Sequence, residues 1–137
     1  MKKIVPILLI LLLLALDQLV KFLVVLYYPF LVYKNYGILF GFIKNPFAIY
    51  LLLGLGMVLL VWIVVRSGKK ILNYEYLLPI ILIASGAISN LIDRFVHGYV
   101  IDYLSFFGLN KFNLSDIMII LGVLLYAYRV LLEYKKS

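Results

Sequence analysis

Asp93, Asp102 and Asp116 are half of the six acidic residues in this chain, and all three fall in the stretch SGAISNLIDRFVHGYVIDYLSFFGLNKFNLSD from Ser85 to Asp116. Each is set among apolar and aromatic residues, where an ionised carboxylate is costly unless it has a partner, a water-filled cavity or a shared proton. A connecting segment of thirteen residues separates Asp102 from Asp116, short enough to return the chain and bring the two carboxyl groups together. Two carboxyls in a low-dielectric site do not both ionise easily, so they hold one proton between them. One then activates a water while the other protonates or polarises a carbonyl, and the titration belongs to the pair. That is aspartic-protease chemistry. The competing reading of any one of these acids is an interfacial polar residue that caps a membrane helix.

Other chemistries have less to work with. His97 is the single histidine, there is no cysteine, and no HExxH, Walker loop or GxSxG elbow occurs. Without cysteine there is no thiol nucleophile, thiolate metal site or disulfide. A metal site built from Asp102, Asp116 and His97 lacks further donors, so no metal is expected.

The surroundings of these acids are membrane-like. Hydrophobic residues make up 66% of the 137 positions and charged residues 14%, with a mean hydropathy of +1.14, well outside the range of soluble domains. The expected fold is an all-α integral membrane protein, one domain of four transmembrane helices with a small β-prone extracytoplasmic cradle. The net charge of +7 is spread beside apolar segments rather than gathered on one face. It therefore reads as topology signal and lipid contact, not nucleic-acid binding.

Taken in order, residues 4–28 form the first span, long enough to cross about 30 Å of hydrocarbon at about 1.5 Å per residue. Pro6 falls in its first turn, where a missing N–H costs little. Asp17 and Lys21 sit four residues apart with the acid first, the favoured orientation for an ion pair on one helix face. Residues 29–46 carry two prolines, Gly37, Gly41, Asn35 and Asn45, and FLVY and ILFGF flank the turn-forming KNYG, which predicts a small hairpin or cradle at the outer surface. Its tyrosines suit the interface. Residues 47–65 are nineteen positions without a charge and form the second span, with Gly54 and Gly56 expected to allow close approach to a neighbour. A basic cytoplasmic loop, 66–73, leads to the third span at 74–92, whose far end carries the small residues Ser85, Gly86, Ala87 and Ser89. An outer loop, 93–112, precedes the fourth span at 113–132.

Four spans put both termini on one side. That side holds eight Lys and Arg residues and the other holds four, with Lys21 inside the first span, so both termini are expected in the cytoplasm. Asp93, Asp102 and Asp116 then lie toward the extracytoplasmic face.

Five blocks now stand in order: DQLVK at Asp17–Lys21, NYGILFGF at Asn35–Phe42, SGAISNLIDR at Ser85–Arg94, GYVIDYLSF at Gly98–Phe106 and FNLSD at Phe112–Asp116. Together they resemble the lipoprotein signal peptidases, or signal peptidase II, of bacteria over most of the chain. The resemblance implies an intramembrane aspartic endopeptidase of the bacterial cytoplasmic (inner) membrane with Asp102 and Asp116 as its catalytic pair. Its substrate would be a prolipoprotein whose cysteine already carries diacylglycerol, cut just before that cysteine. Asp17, Lys21, Asn35, Asn90, Asp93, Arg94 and Asn113 match positions that support the site or bind substrate. Asp93 and Arg94 are expected to join Asn90 in orienting the loop that carries Asp102, while Asn35 and Asn113 offer amide groups to the substrate backbone. The enzyme is expected to act as a monomer in the lipid bilayer, without a cofactor. Ser89 stands where the family usually has glycine and Ser115 where it commonly has alanine, and the segment between the two catalytic candidates is shorter than usual.

Two other classes stay open at this level. A proton relay would run through Asp17, Lys21, Asp93 and the two later aspartates. A non-catalytic scaffold would use the same acids only to pack helices.

Overall fold

Backbone amides inside hydrocarbon have no water to bond, so apolar segments of this length satisfy them internally as helices. The computed structural model, which describes residues 4–37, 45–68, 73–105 and 111–135, contains four such helices. They are α1 (Ile4–Tyr27), α2 (Pro46–Ser67), α3 (Tyr74–His97) and α4 (Leu114–Tyr134), each long and apolar enough to cross a membrane. Polarity is inverted relative to a soluble protein. Leu8, Leu11, Phe22, Val58 and Leu124 are exposed, whereas Asp17 and Lys21 are the buried residues of α1. Lipid tails are as apolar as leucine, so burying leucine gains little here, while a charged group gains from any internal partner.

Helices α3 and α4 form the tight part of the bundle, and α1 packs against α3. Small residues permit this approach. A Cβ added at Gly122 would meet Ile83 Cγ1 and the Pro79 carbonyl, each at 2.7 Å, and one added at Gly86 would strike the Ser115 carbonyl and Ile119. The close-approach role expected of Gly54 and Gly56 in α2 is not what the fold uses, because a Cβ at either meets nothing within 4 Å. Ile49 alone of α2 is buried among the described residues. We expect Gly86→Val to lower stability by about 1–3 kcal/mol through overpacking. Gly54→Ala should leave the thermal midpoint in detergent unchanged or slightly raised, since alanine is the better helix former. A midpoint insensitive to Gly86→Val would refute the close α3–α4 contact.

Helix α3 runs to His97 rather than closing at Ile92, because nothing breaks the pattern before Gly98. That glycine adopts the left-handed conformation (φ 78°) and its N–H caps the Arg94 carbonyl. The extra turn keeps Asn90, Asp93 and Arg94 at i, i+3 and i+4 on one helix face. The chain then enters β2 (Val100–Asp102), which pairs antiparallel with β1 (Tyr33–Asn35) in the register Tyr33↔Asp102 and Asn35↔Val100. Within the KNYG segment expected to turn, Lys34 and Asn35 belong to β1, and their partner among the described residues is β2, more than sixty residues on in sequence. The expected second β-prone run, Ile38–Phe42, lies outside the described residues. After β2, Leu104 and Phe112 exchange backbone hydrogen bonds of 2.8 and 3.0 Å, closing the return toward α4. At the other end of the bundle Arg129 Nη1 lies 3.2 Å from Glu75 Oε1, tying α4 to α3.

Candidate active site

Asp102 ends β2 and is fully buried, and its two carboxylate oxygens accept from two side-chain amides. Asn35 Nδ2 donates to Oδ2 at 2.8 Å, and Asn113 Nδ2 donates to Oδ1 at 2.7 Å. The first contact follows from the strand register, which sets Asn35 diagonal to Asp102 on the same sheet face. Burial pushes the Asp102 carboxyl up to about 6; the Asn35 and Asn113 hydrogen bonds pull the other way, and the Asp116 charge raises it further.

Asp116 occupies the third position of α4 and completes a capping box with Asn113: its Oδ2 accepts from Asn113 N at 3.2 Å, and Asn113 Oδ1 accepts from Asp116 N at 2.9 Å. Its other oxygen, Oδ1, accepts from Asn90 Nδ2 at 2.9 Å. The helix-capping reading of Asp116 is therefore correct as geometry. It does not exhaust the residue, because Asp116 is only partly buried and borders a cavity of about 300 Å³ lined also by Asn35, Asn90, Arg94, Lys111 and Ile119. Asp93 caps nothing and Asp102 lies in a strand.

Asn113 and Asn90 bridge the two acids. Asn113 Nδ2 reaches Asn90 Oδ1 at 3.1 Å as well as Asp102, so both carboxylates lie one hydrogen bond from this amide pair. Asn113 and Asn35 thus spend their amides within the protein: Asn113 Oδ1 caps α4, and Asn35 Oδ1 accepts from Gly37 N at 2.9 Å. Both amides hold the acids in place, and Asn35 also lines the cavity.

Beneath this layer sits a buried charge cluster. Lys21 Nζ lies 2.8 Å from Asp17 Oδ2, 2.9 Å from Asp93 Oδ2 and 3.2 Å from Asn90 Oδ1. Asp93 Oδ2 also accepts from Ile101 N at 3.1 Å, so it is through Asp93 that α3 grips β2 one residue before Asp102. Arg94 makes no ion pair with Asp93 among the described residues, although its Nη1 donates to the Asn90 carbonyl at 3.4 Å. Its Nη2 donates to the Gly37 carbonyl at 2.8 Å, fastening the end of β1 to α3 beside the cavity. Four carboxylates face Lys21 and Arg94, and counting Lys111 at the cavity rim still leaves one negative charge in excess.

Gln18, Ser89, Tyr103 and Lys111 belong to this region and were not singled out as site residues from sequence. Gln18 Nε2 donates to Ser89 Oγ and to Asp93 Oδ1, both at 2.9 Å, and Ser89 Oγ donates to Asp17 Oδ2 at 2.5 Å. Tyr103 Oη accepts from Leu114 N at 3.3 Å, and burial pushes its hydroxyl up to about 12, so it stays protonated at neutral pH. Lys111 Nζ donates to the Leu31 carbonyl at 2.6 Å. The available signal for Gln18 and Ser89 was polarity inside apolar spans, at Asp17+1 and one turn before Asp93.

Comparison with known proteins bears on the family and the fold. The family described as Signal peptidase (SPase) II matches residues 9–132. The lipoprotein signal peptidase of Buchnera aphidicola subsp. Baizongia pistaciae (strain Bp) is 35% identical over 69% of this chain and 63% of its own length. That of Shewanella baltica (strain OS195) is 31% identical over 81% of this chain and 69% of its own. The chain thus spans about two thirds of the length of these curated relatives. Two solved bacterial membrane enzymes share the fold, with TM-scores of 0.79 and 0.73 at 20% and 21% identity, covering 97% and 93% of this chain and 91% and 92% of theirs. By that match and its four-helix architecture, the chain belongs to the signal peptidase II family.

Proposed function

We propose that this membrane protein is an aspartic endopeptidase that removes signal peptides from diacylglyceryl-modified prolipoproteins, with Asp102 and Asp116 as its catalytic pair. The observation that carries the reading is the Asn90–Asn113 amide pair, which joins the two carboxylates beside a cavity between the helices. The two acids differ in setting, and that difference assigns their roles. Asp116 borders the cavity and, ionised, takes a proton from the attacking water. Asp102, enclosed and raised toward neutrality, carries the proton that it gives to the scissile carbonyl oxygen. The water oxygen bonds to the carbonyl carbon, producing a tetrahedral diol. Its collapse breaks the C–N bond; the proton held by Asp116 passes to the leaving amine, and Asp102 recovers its own. The products are a carboxylic acid on the signal peptide and a free amine on the lipidated cysteine.

Asp17, Lys21, Asn35, Asn90, Asp93, Arg94 and Asn113 hold this pair, by the contacts described above. We take the enzyme to act as a monomer in the bilayer. The distribution of Lys and Arg supports cytoplasmic termini and a site at the extracytoplasmic face, where water is at hand. The largely apolar cavity lining, with Leu53, Ile119 and Ile120, suits a substrate that keeps its acyl chains in hydrocarbon.

The test is cleavage by the purified protein in detergent of a diacylglyceryl-modified precursor and of the same precursor without lipid. Release of the signal peptide from the lipidated form alone is expected. Equal cleavage of both would overturn the substrate class, and no cleavage by folded protein would overturn the activity.

A further inference from the structure

The hydroxyl of Ser89 is fully buried at the meeting of α1 and α3, where it contributes to an arrangement the catalytic reading leaves unused. It donates to Asp17 Oδ2 at 2.5 Å and accepts from Gln18 Nε2 at 2.9 Å. Gln18 Nε2 spends its other proton on Asp93 Oδ1, also at 2.9 Å. Among the described residues Asp17 Oδ1 is buried without a hydrogen-bond partner, and the contacts that hold this carboxylate act on Oδ2, from Lys21 at 2.8 Å and from Ser89. Removing the hydroxyl would leave Lys21 as the partner of Asp17 among the described residues and would leave that arm of Gln18 only the longer contact to the Ser89 carbonyl, at 3.4 Å. Lys21 divides its charge between Asp17 and Asp93, and Asp93 is the acceptor for Ile101 N, one residue before Asp102.

We propose that Ser89, acting with Gln18, is a positioning residue that fixes how Lys21 is shared between Asp17 and Asp93, and through Asp93 holds the strand that presents Asp102. The chain of contacts is continuous from α1 to β2. Neither residue borders the cavity described above, so neither touches substrate. A buried hydrogen bond to a charged group is among the stronger polar contacts, and its loss here shifts the holding of Asp17 Oδ2 onto Lys21 Nζ, which Asp93 also needs. This inference rests on Asp102 being catalytic only for its kinetic consequence; the strand's attachment is independent of that reading.

The test uses the full chain in detergent, as wild type, Ser89→Ala, Ser89→Cys, Asp17→Asn and the Ser89→Ala/Asp17→Asn double variant. Hydrogen–deuterium exchange of the segment containing Val100–Asp102 is read first, since it needs no substrate. Ser89→Ala should speed exchange there about tenfold, with the weaker thiol donor of Ser89→Cys intermediate. In the lipidated-precursor assay Ser89→Ala should lower kcat about five- to tenfold with KM within about twofold. In the Asp17→Asn background it should add little further effect. Unchanged exchange at β2 in folded Ser89→Ala, a change in KM alone, or full additivity with Asp17→Asn would each overturn the proposal. If the wild type cleaves no precursor yet Ser89→Ala loosens β2, the activity reading fails and the positioning role stands.

Discussion

In the lipidated-precursor assay, Asp116→Asn and Asp102→Asn each lower kcat/KM by about a thousandfold or more, the loss expected when one member of an acid–base pair is removed. The substitution is not silent structurally. Both oxygens of Asp102 accept from amide donors, and both oxygens of Asp116 accept from N–H groups. An asparagine at either position therefore turns an NH₂ toward a donor, whichever way it is flipped. Rotating Asn35 to compensate would cost its bond from Gly37 N, and rotating Asn113 would uncap α4. Folding must be checked in the same preparations by size exclusion and thermal unfolding. Residual activity above about a tenth of wild type in a folded variant would exclude that residue from proton transfer.

The wild-type rate carries a matching pH signature. Asp102 must be protonated to donate to the carbonyl, and burial holds its carboxyl up to about 6. As pH rises through that value the donor is lost, so kcat/KM falls on the alkaline side toward a tenfold drop per pH unit. A profile flat from pH 5 to 8, an interval of about three units spanning the titration, would remove Asp102 from the acid role.

Lys21→Met produces the largest expected loss of stability, about 3–5 kcal/mol, because it leaves buried carboxylates without their cation. Lys21 is 1% exposed, and both Asp17 and Asp93 are fully enclosed. Methionine matches the length of the side chain, so the effect isolates charge from packing. Yield of folded protein and the thermal midpoint in detergent report it. The double variant Lys21→Met/Asp17→Asn should recover part of the loss by removing one unpaired acid. A midpoint for Lys21→Met equal to wild type would mean that the two carboxylates are neutralised without the lysine.

What the sequence determined by itself is what depends on composition and on local spacing. Apolar runs of twenty or so residues must be helices in lipid, because no other open structure satisfies their backbone. The i,i+4 spacing of Asp17 and Lys21 sets them on one face of α1, and a chain with this pattern of Asp and Asn blocks resembles one family. The capping geometry of Asn113 and Asp116 was equally local, three residues apart at the start of α4. What only the tertiary structure decided lies between segments distant in the chain. Strand β1 pairs with β2 across more than sixty residues, and that register is what brings Asn35 to Asp102. Close approach went to Gly86 and Gly122 instead of Gly54 and Gly56, since glycine permits contact but does not say which neighbour arrives. Asn113 and Asn35 hold carboxylates, Asp93 grips β2, and Ser89 braces Asp17. A side chain's polarity is written at its own position, whereas the partner that satisfies it in a low-dielectric interior is supplied by another helix.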